Sequence, residues 1–298
     1  MQYTEDFEDF KLLDMANGEK LERWGKYLLI RPDPQIVWSK KHNPKLWELA
    51  DARYVRSKTG GGHWEVKKKL PDSWQVSYNN LNFNIKPMGF KHTGLFPEQS
   101  VNWTYMQNVI RERKKQGKQT RVLNLFAYTG GATAACLEAG ASVCHVDASK
   151  GMVAWAKENS ISSGLKDAPV RFIVDDVIKF VRREIKRGNK YDAIVMDPPS
   201  YGRGANGEVW SIEKDLEDLL ELCLKVLSED PVFVIINTYT GGLSGTVISN
   251  LLEIVMQNER KDLLKKGRIV TDEIGIKMDK TSLVLPCGIT TKWENGGV

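Results

Sequence analysis

Three aspartates in the second half of the chain could each serve a ligand. Asp147, Asp176 and Asp197 each come directly after, or one residue beyond, a short apolar run. The first belongs to the most informative stretch, residues 121–151, RVLNLFAYTGGATAACLEAGASVCHVDASKG. Val122 to Phe126 are largely apolar, as a buried parallel strand should be. Thr129-Gly130-Gly131 then allows a sharp turn whose N–H groups are left for a ligand. Ala132 to Glu138 reads as a small-residue helix closed by Gly140. Ser142 to Val146 reads as a second strand, with Asp147 at its carboxyl end. Ligands of open parallel sheets bind at such strand ends, beside the point where strand order reverses. A carboxylate there suits a ribose diol, and a glycine turn suits an amino-acid or phosphate group. The competing structural account is that Asp147 only caps the helix beginning near Ser149. A dinucleotide fingerprint would need G-x-G-x-x-G after the first strand, and only Thr-Gly-Gly is present.

The second motif is YDAIVMDPPSYGRG, residues 191–204. Two prolines directly after an apolar strand fix the backbone and delay any helix. They hold Asp197 and the carbonyl after it in one place. A rigid turn with Asp197 as a local cap is the simpler alternative. Gly202, Gly204 and Gly207 spell G-x-G-x-x-G, but they follow a Pro-Pro loop and open no β-α-β unit, so the dinucleotide reading fails. A loop over a substrate, with Arg203 as an anion contact, competes with a plain surface loop. Asp175-Asp176 ends another apolar run, and helix capping accounts for either residue alone.

The elements that must position these residues alternate regularly. After Val122 we read helix 149–163, strand 170–174, helix 177–187, strand 191–196, helix 212–227, strand 232–237, helix 243–257 and a closing pair of strands, 269–276 and 281–285. That alternation predicts a parallel sheet. Residues 1–90 differ: a short helix near 9–15, then strand-like runs at 21–30, 36–38, 52–55, 63–69 and 74–85, with Asn79-Asn80 as a hairpin turn. We expect a small, mostly antiparallel β domain over 1–90, a linker and helix over 91–117, and an α/β domain over 118–298. Trp24, Trp38, Trp47, Trp64, Trp74 and Trp103 crowd the N-terminal part. They read either as core aromatics or as a nucleic-acid stacking face.

Composition sets bounds. The 298 residues are 41% hydrophobic and 27% charged, so the chain can bury a core. The net charge of +5, with basic clusters at 67–69, 111–115 and 182–187, permits a polyanionic partner without requiring one. No apolar run is long enough to cross a bilayer, so no membrane role is expected. The acidic N-terminal stretch has no signal-peptide core. Four scattered cysteines lack metal-ligand spacing. A reduced, cytoplasmic protein with no metal is the expectation.

Taken together, NLFAYTGGAT, VDAS, DDV, DPPSYGRG and LPCG (285–288) resemble the class I S-adenosylmethionine (SAM) methyltransferases, and among them the bacterial large-subunit ribosomal RNA methyltransferases that act on cytosine and guanine. The resemblance implies a Rossmann-like, seven-stranded, mostly parallel sheet with a reversed last strand. It implies SAM as cofactor, held by Asn124, Phe126, Ala127, Tyr128, Thr129, Gly130, Asp147, Ala148, Asp176 and Asp197. In the segment FKHTGLFPEQSVNW it adds Thr93, Phe96 and Gln99, in a linker that packs over the cofactor. It further implies that Asp197 and the Pro198 carbonyl accept the N–H of a planar target on which Tyr201 stacks, with Asn237 or Tyr239 completing the pocket. Cytosine-C5 members of the group attack their base with a cysteine thiolate, and the strand-end loops DPPSYG and NTYTGG contain none. The expectation is therefore direct displacement at a base nitrogen of RNA, with no metal or covalent enzyme intermediate needed. The alternatives are a protein or small-molecule substrate, with the N-terminal domain as a homodimer surface, or a non-catalytic SAM-binding assembly factor.

Overall fold

A computed structural model describes residues 1–4, 7–57, 61–204 and 207–297. The chain divides into two compact units. One comprises Met1, Val101–Ile274 and Gly288–Val298, the other Gln2–Ser100 and Gly275–Cys287.

In the larger unit the sheet strands are β1 (Arg121–Leu125), β2 (Ser142–Asp147), β3 (Val170–Val174), β4 (Ala193–Met196), β5 (Phe233–Thr238), β6 (Gly267–Lys277) and β7 (Val284–Asn295). The ends of β6 and β7 that face each other in sequence belong to the smaller unit. These seven strands lie in the order β6-β7-β5-β4-β1-β2-β3, and the short strand Gln2–Thr4 beside β6 makes the sheet eight-stranded, one more than the seven expected. Pairing is parallel from β5 through β4, β1 and β2 to β3. It is antiparallel between β5 and β7. The expected mostly parallel sheet with a reversed last strand is therefore present. Order reverses at β1: the chain runs outward through β2 and β3, then returns to place β4 on the other side. Register aligns Leu125 with Val146 and with Met196, so β1, β2 and β4 end level. A crevice at a switch point of this kind is where open α/β sheets bind ligands.

The helices are α1 (Ser100–Lys115), α2 (Gly131–Glu138), α3 (Lys150–Ser162), α4 (Val177–Lys186), α5 (Ile212–Lys225), α6 (Gly245–Glu259) and α7 (Lys261–Lys266). Spacing of apolar residues decides which face each buries. In α5, Ile212, Leu216, Leu219, Leu220, Cys223 and Leu224 form one stripe. They join Leu123, Ile194, Val234 and Trp293 in the main core. Within this unit the expected elements hold to within a few residues, but β7 runs on to Asn295. Pro286 and Gly288 look like a stop in sequence; pairing with β5 starts at Ile289, beyond both. Among the described residues, no helix is long and apolar enough to cross a membrane.

The smaller unit has a five-stranded sheet of Phe10–Ala16, Glu19–Trp24, Tyr27–Pro32, Ala52–Arg56 and Gly62–Val66, in that order. All its pairings are antiparallel except Tyr27–Pro32 with Ala52–Arg56. A separate hairpin, Trp74–Tyr78 with Leu81–Ile85, turns at Asn79-Asn80 as expected, with Asn79 left-handed (φ 49°). Three expectations fail here. Residues 10–16 form a strand, not a helix; a bulge between Leu12 and Asp14 breaks the alternation that would have revealed it. The run 21–30 is two strands, turned at Gly25 (φ 61°). Residues 36–38 are not a strand; they lie in the crossover joining the parallel pair.

The tryptophans of this unit favour the core reading. The indole N–H groups of Trp24, Trp38, Trp47, Trp64 and Trp74 donate to Glu22, Met15, Asp14, Met88 and Trp24 of the same unit. Glu22 is fully buried and accepts two bonds from Arg31, at 2.6 and 2.9 Å. Lys20 lies 3.1 Å from Asp33 and 3.6 Å from Glu22.

Candidate active site

The loop leaving β1 carries unusual backbone. Phe126 and Tyr128 both adopt left-handed φ angles, 52° and 50°. Each such non-glycine residue costs on the order of 1–3 kcal/mol, and strain of this kind persists where the surroundings over-determine it. Here the surroundings do so. Ala127 N–H donates to Val146 O at 3.1 Å, Tyr128 N–H to Asp147 Oδ2 at 2.9 Å, and Gly130 N–H to Ala127 O at 3.0 Å. Asn159 of α3 donates to the Thr129 carbonyl at 2.8 Å.

Gly130 (φ 82°) caps α2. A Cβ on it would sit 2.9 Å from the Ala156 Cβ, and one on Gly131 would sit 2.6 Å from Cζ2 of Trp103. The two glycines therefore let the turn lie against α3 and α1. The first N–H groups of α2 have no partner inside their own helix. They and the helix dipole form a ready cradle for a polar or anionic group.

Asp147 closes the other side. Its two oxygens accept from Tyr128 N–H (2.9 Å) and Ser149 N–H (2.8 Å). Ser149 itself caps α3, so Asp147 is not the helix cap. Each carboxylate oxygen keeps lone-pair capacity for a further donor, which fits a ribose diol. Burial pushes its carboxyl up from the ordinary aspartate value, and the two N–H bonds pull it back only in part. Ala148, beside it, is exposed.

Other expected cofactor residues have partners within the protein or are buried. Asn124 is buried and donates to Thr133 Oγ1 (2.9 Å), which in turn contacts His145 Nδ1 (2.9 Å). This chain ties β1, α2 and β2 together behind the turn. Burial lowers His145 to about 3, so it is neutral. Asp176 caps α4, accepting from Lys179 N–H at 2.9 Å. Its neighbour Asp175 pairs with Arg183. Thr93, Phe96 and Gln99 belong to the smaller unit, where Thr93 and Gln99 are buried.

The β4 loop stands next to the β1 turn: Asp197 N–H reaches Leu125 O at 3.4 Å. Pro198 is buried and Pro199 exposed. The Pro199 carbonyl accepts from Trp210 Nε1 at 2.7 Å, and the Trp210 ring packs on Phe126 at 4.9 Å. Tyr201 opens a short hairpin, Tyr201–Arg203 with Val209–Ser211, and is 56% exposed. Residues 205 and 206 of the glycine-rich segment lie outside the described residues. Ser200 Oγ and Thr240 Oγ1, 2.6 Å apart, join the β4 and β5 loops.

On the β5 side the structure separates the two expected pocket residues. Asn237 is buried, accepting from Asn102 at 2.9 Å. Tyr239 is 37% exposed, and a Cβ on Gly288 would sit 2.8 Å from its ring. Sequence reasoning missed Trp103, Trp210 and the His145 network, whose roles depend on long-range contacts. The Gly288 signal was present in LPCG, without its reason.

The S-adenosylmethionine-dependent methyltransferase family pattern matches residues 49–237. A crystal structure of the SAM-dependent methyltransferase from Agrobacterium tumefaciens superposes with TM-score 0.92 at 35% identity, covering 98% of this chain and 92% of that one. Ribosomal RNA large subunit methyltransferase K of Neisseria meningitidis is 28% identical over 287 residues, 89% of this chain and 74% of that protein. Ribosomal RNA large subunit methyltransferase K/L of Pseudoalteromonas atlantica is 32% identical over 170 residues, 56% of this chain. This match spans only 23% of that longer protein. The family match over residues 49–237 and the likeness to the Agrobacterium enzyme, together with the strained β1 turn, Asp147 and the Asp-Pro-Pro loop at one switch point, show that the chain belongs to the S-adenosylmethionine-dependent methyltransferase family.

Proposed function

We propose that the enzyme methylates a base nitrogen of large-subunit ribosomal RNA. The observation that carries this reading is the β4 loop: a proline-locked carboxylate, Asp197, followed by the exposed ring of Tyr201, beside the cofactor turn. An edge acceptor and a π-face together fit a planar nitrogen heterocycle. The bound cofactor would supply an electrophilic methyl on a sulfonium, transferred in one in-line displacement. This chain's residues would supply position. Holding two reacting centres in near-attack geometry contributes up to ~7–11 kcal/mol. Asp197 would accept the target N–H and orient the nitrogen lone pair, and Tyr201 would stack on the ring. The relatives' names supply the ribosomal substrate, and this reading puts the enzyme in the cytoplasm, where ribosomes are assembled.

The thiols favour nitrogen over cytosine C5. Burial raises all four: Cys136 to about 12, with Cys144, Cys223 and Cys287 also shifted upward. None is a ready thiolate, and C5 chemistry needs one. The test is transfer of labelled methyl from SAM to ribosomal RNA of a strain lacking the gene, followed by nucleoside mass analysis. An N-methyl nucleoside is expected. C5-methylcytidine would overturn the nitrogen assignment, and unlabelled RNA would overturn the substrate.

A further inference from the structure

A cleft rimmed by lysines lies within the smaller unit. The turn between β6 and β7 comes back onto the strand Phe10–Ala16: Asp279 N–H donates to Leu12 O at 2.8 Å, and Met278 is buried. Beside this junction is a cleft of about 200 Å³. Thr4, Phe7 and Phe10 form part of its wall, and among the described residues three lysines, Lys11, Lys277 and Lys280, and one acid, Asp279, stand around it. Glu5 and Asp6, next in sequence to Thr4, lie outside the described residues.

Two of its lysines, Lys11 and Lys280, point to an anion. Neither Lys11 nor Lys280 forms an ion pair among the described residues, whereas Lys20 and Arg31 of the same unit do. The Lys277 ammonium lies 5.2 Å from the ring centre of Tyr3, a partly exposed aromatic. Lys280 is left-handed, φ 58°, at a tight turn where glycine or asparagine would sit without strain. A strained lysine at a turn tip has no packing reason here, since it is exposed; its charge is the property that glycine would lose. The cleft is smaller than the roughly 300–1,000 Å³ typical of small-molecule and cofactor sites. It suits one charged group of a longer ligand.

We propose that this cleft of the smaller unit grips the phosphate backbone of the RNA substrate. The proposal rests on the RNA reading given above. Three lysines neutralise up to three phosphates, and the Tyr3 ring offers a face to a base or sugar beside them. Contacts of this kind position a strand without reading its sequence, which suits an enzyme whose base selection happens elsewhere.

The test uses the full chain and a fluorescein-labelled single-stranded RNA 20-mer of mixed sequence, titrated at several salt concentrations. For single strands each lost phosphate contact lowers the slope of log K against log salt by about 0.7. The triple variant Lys11→Glu, Lys277→Glu, Lys280→Glu is expected to lower the slope by about 2 and to weaken binding at least tenfold, with SAM affinity unchanged. Lys280→Gly separates structure from function: it should raise Tm by relieving the turn, yet weaken RNA binding. If the wild type binds RNA with a salt-dependent slope that the triple variant retains, the cleft is not the contact, while the RNA reading stands. If the wild type shows no salt-dependent RNA affinity, both fall.

Discussion

Replacing Asp147 by asparagine tests the cofactor site most directly. The carboxylate accepts two backbone N–H bonds, at 2.9 Å from Tyr128 and 2.8 Å from Ser149. Asparagine has one oxygen, so one of those donors would face an amide NH2. The lost charge-assisted bond and the unsatisfied donor together cost about 1–3 kcal/mol of stability. The larger effect should fall on the cofactor. Ribose hydroxyls donating to a carboxylate would now meet a neutral amide, and losing about 1.5–3 kcal/mol raises Kd roughly 10–150-fold. Calorimetric titration with S-adenosylhomocysteine reads this without turnover, and a thermal melt run in parallel shows how much of the loss is unfolding. Asp147→Ala should abolish binding. The pH dependence has a definite sign. Burial raises this carboxyl above its ordinary value of 3.8, so affinity should begin to fall on acidification earlier than for an ordinary aspartate, as protonation removes the acceptor. An asparagine variant that melts lower but binds within about twofold of wild type would refute the ribose role. Asp147 would then only tie the β1 turn to the start of α3.

Gly131→Ala should destabilise by about 1–3 kcal/mol, since its Cβ would lie 2.6 Å from the Trp103 ring. A thermal melt checks this, and adding Trp103→Phe should restore part of the loss. Tyr201→Ala should leave SAM affinity intact while lowering kcat/KM about 5–150-fold, the equivalent of ~1–3 kcal/mol of base stacking; unchanged turnover would remove Tyr201 from the target site. Glu22 is a pH probe for the smaller unit. Burial alone would raise its carboxyl, but Arg31 and Lys20 outweigh that and hold it below the ordinary 4.5. Its contribution is complete above pH 4.5 and is lost as pH falls from there through its lowered native value. Urea melts between about pH 3 and 7 should show that loss. Glu22→Gln should flatten it while costing ~3–5 kcal/mol, because Arg31 stays buried without its partner.

Much of the sheet and its switch point was legible because buried parallel strands leave a plain record: apolar runs separated by helical periods. The pairing of Thr-Gly-Gly with Asp147 was legible for the same reason, since both sit at strand ends. What failed was structure set by distant contacts. The bulge at Leu12/Asp14 disguised a strand as a helix. β7 continued past Pro286 because no ladder bond to β5 was needed there. Local sequence also could not separate Asn237 from Tyr239. Both stand at the carboxyl end of the same apolar strand, yet Asn102 of α1 claims one and leaves the other exposed. Nor could it show that glycine at 131 answers to a tryptophan 28 positions earlier in the chain, at 103.

The smaller unit is built from two separated pieces of chain, Gln2–Ser100 and Gly275–Cys287, and this fixes an order of events during synthesis. A ribosome adding about 5–20 residues per second reaches the second piece roughly 10–35 s after finishing the first. Throughout that interval the strand Phe10–Ala16 lacks the bond from Asp279 to Leu12. The nascent N-terminal segment must therefore wait, incomplete, while the entire SAM-binding sheet up to β5 is made. The first unit to begin on the ribosome is among the last to be finished, and a fragment ending near residue 270 would release it permanently open.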